Sequence, residues 1–272
     1  NLASAENESG VISLRDYIAE QAPEKPYRFV VIYNDPENMT DDSKREAEEM
    51  ADNMLKYGKE LGLAGFKCRI EDAYLSRKDD KIFIHDIDDK EFLIDENTIV
   101  FNRSKSNDFA NWQGMMYDLE KSGVPVINSL DVHLLCADKW KTYVSLQKVG
   151  AKQPKTLLVN LPEKSQGVYE RLDTKFPVIL KSSTGTQTGV GVTIVESLRS
   201  LNAVVQMIML YNKYLPLIVQ EYIEIDYDIR VMVMDGEILG AMKRNVITDS
   251  NDPDLMRNFL ILNLTFGLLN YG

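Results

Sequence analysis

The chain has 272 residues, 44% of them hydrophobic and 27% charged, a globular composition well clear of the disordered regime. Its net charge of −11, from 31 Lys and Arg against 42 Asp and Glu, repels the phosphate field of a nucleic acid, so a phosphate ligand must be met by a local cluster of donors. The two cysteines, Cys68 and Cys136, and the two histidines, His85 and His133, exclude a disulfide framework and a His/Cys zinc cluster. The longest apolar run, 259–269, is interrupted by Asn263 and Thr265 and falls short of the roughly 20 residues a membrane helix needs. With the opening Asn1-Leu2-Ala3, which lacks a basic or apolar signal core, the expectation is a reducing, cytoplasmic setting with no membrane attachment.

Residues 1–27 are polar, with a short helix expected around 14–21 that Pro23 and Pro26 would end. The β-branched and aromatic run Arg28-Phe29-Val30-Val31-Ile32-Tyr33 reads as a buried strand. A helix follows, with Ser43-Lys44-Arg45-Glu46 at capping-box spacing. Ala47, Met50, Ala51, Met54 and Leu61 lie along one face, and Gly62 stops it. Strands are expected at 81–84, 91–94 and 98–101, a helix at 108–122 ended by Gly123, and a strand from Pro125. This alternation predicts an α/β domain with mostly parallel strands over 28–130. Beyond it come helices at 131–137 and 139–148, strands at 155–159, 176–181 and 190–195, and a helix at 197–210. Three more strands, 217–222, 227–234 and 237–243, complete the pattern. Asp235-Gly236 between the last two is a hairpin signal. This half reads as α+β with antiparallel sheets, divided into 131–215 and 216–272.

The segment Ser182-Ser183-Thr184-Gly185-Thr186-Gln187-Thr188-Gly189-Val190-Gly191 carries the clearest chemistry. Its three glycines let backbone amides approach a ligand, and its hydroxyls add donors, as in a lid over nucleotide phosphates. It lacks the Gly-Lys-Ser/Thr ending of a P-loop and the following helix of a dinucleotide fold. A flexible surface hairpin reads the same segment equally well. A protein kinase also lays a Gly-rich hairpin over ATP, but His-Arg-Asp and Asp-Phe-Gly are absent. Lys181 ends an apolar strand beside the loop, and Lys139 opens a helix; as point charges on an acidic chain they suit phosphate, although each alone reads as a solvated lysine. Gln220-Glu221-Tyr222-Ile223 ends a strand whose backbone can read adenine. Arg230 falls on the polar face of the next strand, and Lys243 with Arg244 forms a small basic patch suited to a phosphoryl oxygen.

In order, these pieces resemble the ATP-grasp carboxylate–amine ligases, and most closely their RimK-like branch, which adds glutamate to a protein or small-molecule carboxylate. The resemblance is carried by Val126-Ile127-Asn128-Ser129, Asp138-Lys139, Phe176-Pro177-Val178-Ile179-Leu180-Lys181, the Gly185–Gly191 loop, Gln220-Glu221-Tyr222-Ile223, Asp228-Ile229-Arg230 and the string from Asp235 to Arg244. It runs over 98–245 and implies an N-terminal α/β pre-ATP-grasp domain followed by an incomplete ATP-grasp domain. ATP and Mg2+ or Mn2+ would be the cofactors. Lys139 and Lys181 would hold phosphates under a lid of Ser183, Thr184, Gly185, Thr186, Gly189 and Gly191. Gln220, Glu221, Tyr222 and Ile223 would line the adenine hinge, and Asp228 and Lys243 the nucleotide. Arg230 and Arg244 would act catalytically at an acyl phosphate, and Arg103 would bind a substrate carboxylate. The implied partners are a glutamate-like amino acid and a carboxylate substrate such as a protein C-terminus.

The family's magnesium ligands, an Asp and a Glu…Asn pair, would fall past residue 272. Its Arg-Ser-Asn continuation is replaced here by Asp252-Pro253-Asp254-Leu255-Met256-Arg257-Asn258. The expectation is therefore a ligase cut short or diverging after about residue 250, weak or inactive, with its metal ligands unknown; nothing in the spacing of Asp249, Asp252 and Asp254 marks them as substitutes. A non-catalytic nucleotide-binding or partner-binding remnant stays open beside it, as does an α/β protein with a merely structural glycine loop. The apolar tail 255–272 is compatible with a homo-oligomer interface or with an unnatural end.

Overall fold

The run from Arg28 to Tyr33 leaves no polar face, and in the computed structural model it forms β1 (Arg28–Tyr33), buried on both sides. The structure describes residues 27–34, 41–104, 110–184 and 191–245; the short helix expected around 14–21 and the tail beyond 245 lie outside them. The chain divides into two compact units, Asn1–Leu130 and Asp131–Gly272.

In the first unit, β1 is flanked by β2 (Ala64–Arg69) on one side and β6 (Thr98–Asn102) on the other. β7 (Val126–Ile127) extends the sheet beyond β6, and every pairing is parallel. The crossover from β1 to β2 is α1 (Asp41–Glu60), which begins two residues before the expected capping box and lays Ala47 and Ala51 against Phe29, Val31 and Tyr33. Gly58 of α1 and Gly65 of β2 bracket the Phe29 ring, and a Cβ at either position would collide with it. α2 (Ala110–Lys121) buries Trp112, Met116 and Leu119.

The sequence reading is corrected at the middle of this unit. The strands expected at 81–84 and 91–94 do not join the parallel sheet. They form β4 (Lys81–His85) and β5 (Glu91–Ile94) of a separate antiparallel meander that opens with β3 (Tyr74–Lys78). The connections between these strands are too short for a parallel crossover, which needs a dozen residues or more, so hairpins are the available solution. β2 and β3 were not expected at all. Their polar, half-exposed sequences, AGFKCR and YLSRK, give neither an apolar run nor clean alternation.

In the second unit, α3 (Leu130–Ala137) and α4 (Lys139–Lys148) precede a four-stranded antiparallel sheet in the order β10-β9-β11-β8. Its members are β8 (Thr156–Val159), β9 (Val178–Ser182), β10 (Val192–Val195) and β11 (Leu217–Glu221). A short α5 (Ser165–Tyr169) and the longer α6 (Leu198–Tyr211) accompany it; α6 starts on a capping box between Ser197 and Ser200. The chain then forms a hairpin of β12 (Tyr227–Met234) and β13 (Glu237–Asn245). Asp235 and Gly236 both take positive φ, +51° and +77°, as the tight turn requires. The register shifts between Met232 and Val233, leaving a bulge opposite.

Among the described residues, no helix is long and apolar enough to cross a membrane.

Candidate functional site

Strand alternation divides the second unit's sheet into two unlike faces. Val159, Val178, Leu180, Val195, Leu217 and Val219 point to one side and pack with Leu201 and Val205 of α6 as the core. The opposite side carries Ile179, Lys181, Val192, Ile194, Ile218, Gln220, Thr156 and Leu158, which share registers across the four strands. A lysine therefore sits in the middle of an otherwise largely apolar face, and it is only 8% exposed.

Lys181 does not stand alone there. Its Nζ donates to Gln220 Oε1 at 2.8 Å, Gln220 Nε2 donates to Thr156 Oγ1 at 2.7 Å, and Thr156 Oγ1 donates to the Pro154 carbonyl at 2.8 Å. Burial pushes the Lys181 ammonium down to about 8, and the charge of Lys139 pushes the same way. Lys139 is itself held below the ordinary lysine value by burial, which the neighbouring Asp138 carboxylate partly offsets. Lys181 is thus a desolvated lysine beside a second cation, a perturbed pair of the kind that marks a candidate functional site.

The second lysine is positioned by the start of α4. Asp138 is its N-cap: one carboxylate oxygen accepts from the amides of Trp140 at 2.9 Å and Lys141 at 3.1 Å, and from the Ser183 hydroxyl at 3.0 Å. Ser183 completes the tie through its backbone. Its carbonyl accepts from the Lys139 amide at 2.9 Å, and its own amide donates to the Pro216 carbonyl at 3.0 Å. The chain leaving β9 is thus stitched to the N-terminus of α4, whose first amides are taken up by Ser183 and Asp138, and Lys139 stands at that junction.

Lys181 is joined to Gln220 and Thr156, and Lys139 to Ser183 and Asp138, whereas the resemblance set Gln220 on the adenine hinge. Thr184 is exposed at the rim, and Gly191 takes φ of +78° where its carbonyl accepts from Ser182 N at 3.2 Å. Gly185, Thr186 and Gly189 lie outside the described residues. At the strand end, Glu221 turns back: its amide donates to the Lys155 carbonyl at 2.8 Å and its carboxylate accepts from Lys155 N at 3.1 Å. Tyr222 is half-buried and Ile223 exposed.

On the hairpin, the Arg244 guanidinium grips the Asp228 carboxylate bidentately, one of the two bonds at 2.6 Å, across directly opposed positions. Arg230 shares their face and is exposed, while Lys243 on the other face lies 4.2 Å over the Tyr227 ring. Arg103 belongs to the first unit, where it follows β6, is exposed, and donates its amide to the Ile32 carbonyl at 2.7 Å. Among the described residues, no group of three or more His, Cys, Asp or Glu could hold a metal ion.

Residues 136–258 match the RimK-like ATP-grasp domain. The match falls within the second unit and spans less than half of the chain. Lys139, Lys181, Gln220, Asp228 and Arg244 all fall inside it, whereas Arg103 precedes it. The coenzyme gamma-F420-2:alpha-L-glutamate ligase of Methanocaldococcus jannaschii is 26% identical over 190 residues, covering 68% of this chain and 63% of that protein. The glutamate–LysW ligase ArgX of Sulfolobus acidocaldarius is 32% identical over 130 residues, 47% of this chain and 45% of its own. The chain therefore spans about half to two-thirds of the curated relatives it matches. A solved RimK domain ATP-grasp protein from Sphaerobacter thermophilus superposes with a TM-score of 0.58 at 16% identity, covering 85% of this chain and 79% of its own, which confirms the ATP-grasp fold.

Thr156 is absent from the sequence reading, which quotes Asp138 beside Lys139 but gives it no role. Asp138 had a local signal, an Asp immediately before a helix. Thr156 had none, because its partner Gln220 is 64 residues away.

Proposed function

We propose that the protein is an ATP-dependent carboxylate–amine ligase that joins a glutamate-like amine to a carboxylate substrate through an acyl phosphate. The observation that carries this reading is the buried Lys181, desolvated on the apolar sheet face and facing Lys139 at the capped start of α4. A nucleotide fits such a place on both counts: its phosphates need cations with little water competing, and its base needs apolar walls.

Lys139 and Lys181 hold the phosphates, and the backbone of Glu221 to Ile223 meets the base. The substrate carboxylate attacks the γ-phosphorus, the bond to the ADP oxygen breaks, and the incoming amine then displaces phosphate from the acyl carbon. Exposed Arg230 is the hairpin cation for the acyl-phosphate oxygens, and Arg244 acts from its clasp on Asp228. Lys243 supports the nucleotide side, and Arg103 is proposed for a substrate carboxylate. The relatives that are glutamate ligases support glutamate as the amine donor. A divalent metal would neutralise phosphate charge; among the described residues no group of three or more His, Cys, Asp or Glu could hold it. The need for ATP and two cysteines that form no disulfide favour action in the cytoplasm.

The test is ADP formation by the chain with ATP, Mg2+, glutamate and a panel of small and peptide carboxylates. The reading requires ADP release that depends on both the amine and the carboxylate and is lost in Lys181→Ala. ADP release insensitive to that substitution, or no release with any carboxylate, would contradict it.

A further inference from the structure

The hydrogen bonds around Gln220 have a fixed direction. The Thr156 hydroxyl has one hydrogen, and it is committed to the Pro154 carbonyl, so toward Gln220 this oxygen can only accept. That forces the amide nitrogen of Gln220 toward Thr156 and the amide oxygen toward Lys181. Both ends of the amide are thereby used within the sheet. Of the three ammonium hydrogens on Lys181, one is taken by Gln220, and among the described residues the other two have no hydrogen-bond partner. Thr156 and Lys181 are both buried, 6% and 8% exposed, so neither is readily satisfied by water instead.

We propose that Thr156 and Gln220 are positioning residues, a relay from the Pro154 carbonyl that aims the Lys181 ammonium at the bound phosphates, and that Gln220 does not read the base. This rests on the nucleotide site proposed above and reassigns Gln220 within it. The relay is made by register rather than by sequence proximity. Gln220 pairs with Thr156 on β8 and with Ile179 on β9, which sets it diagonally beside Lys181 on the same face. A hydroxyl at 156 is needed in the acceptor role; valine fills the same space and cannot accept. A carboxylate at 220 would pair with Lys181 directly and compete with phosphate for it. The charged group facing Lys181 from the neighbouring element is Lys139, with Asp138 beside it.

Three variants and two probes test this. Thr156→Val is expected to weaken ATP and inorganic tripolyphosphate alike, by about tenfold, as for loss of a hydrogen bond that orients a charged group. Thr156→Ser keeps the affinity of the parent chain for both. Gln220→Glu also weakens both. If Gln220 instead read the base, the Gln220 and Thr156 variants would weaken ATP while leaving tripolyphosphate unchanged. In the ligand-free chain, the Lys181 titration, followed by NMR of 13Cε-labelled lysine and assigned with Lys181→Ala, should move to lower pH in Thr156→Val and to higher pH in Gln220→Glu. It should stay in place in Thr156→Ser.

A Lys181 midpoint unmoved by Thr156→Val overturns the relay, as does a Thr156→Ser variant as impaired as Thr156→Val. Failure of the parent chain to bind either probe would count against the nucleotide site instead, and the ligand-free titration would still decide the relay.

Discussion

Lys181→Met is expected to make the second unit more stable at neutral pH while destroying its affinity for nucleotide. The Lys181 ammonium titrates at about 8 against an ordinary 10.5. At ~1.36 kcal/mol per pH unit, that difference makes its buried charge worth about 3 kcal/mol of destabilisation. Below pH 8 the lysine is charged in both the folded and the unfolded chain, so the cost is fully present. Between 8 and 10.5 the unfolded chain binds more protons than the folded one, and stability rises with pH until the cost is gone. Methionine matches the length of the stem without the charge. It orphans Gln220 Oε1, which costs about 1 kcal/mol. The net gain at pH 7 is therefore about 2 kcal/mol, shrinking toward zero by pH 10. Urea unfolding followed by Trp140 fluorescence, in a Trp112→Phe background so that only the second unit reports, measures it at both pH values. A variant less stable than its parent at pH 7, or an advantage equally large at pH 10, refutes the reasoning.

Because a bound phosphate keeps Lys181 protonated, ATP binding near pH 8 should take up protons and weaken steadily above it. Calorimetry in buffers of different ionisation enthalpy checks this, and an affinity flat from pH 7 to 9.5 would contradict it. Asp138→Ala should destabilise the second unit by about 1–2 kcal/mol and weaken ATP binding, because α4 loses its cap and Ser183 its partner; Asp138→Asn, which keeps an accepting oxygen, should retain most of both. The urea midpoint and an ATP titration distinguish the two variants. Leu180→Ala, beneath Lys181 on the core face, should cost roughly 3 kcal/mol in the same unfolding experiment, since the residue is 1% exposed and packed in the core of this unit.

The parts of this molecule that are written locally were readable in advance. β1 announces itself by an unbroken apolar run, Lys181 by its place at the end of Val178-Ile179-Leu180, and the β12–β13 turn by Asp235-Gly236. What failed was partnership. The strands at 81–84 and 91–94 were rightly taken as strands but assigned to the wrong sheet, because a strand's own residues do not say whether its neighbour runs parallel. β2 and β3 escaped because their side chains are mostly half-exposed and polar. The site shows the same division. The candidate lysines and Ser183 are legible from residue type and order. Asp138 holding Ser183, and Thr156 holding Gln220, depend on register across strands and on contacts 45 and 64 residues apart. Lys243 and Arg244 read as one basic patch, whereas the hairpin register sets Arg244 on Asp228 and Lys243 over Tyr227 on the other face.

The most direct test is titration calorimetry of ATP into this chain and into Lys181→Ala. The account predicts saturable binding by the parent that the substitution abolishes. An affinity unchanged by loss of the lysine, or no binding by the parent at millimolar ATP, would contradict it.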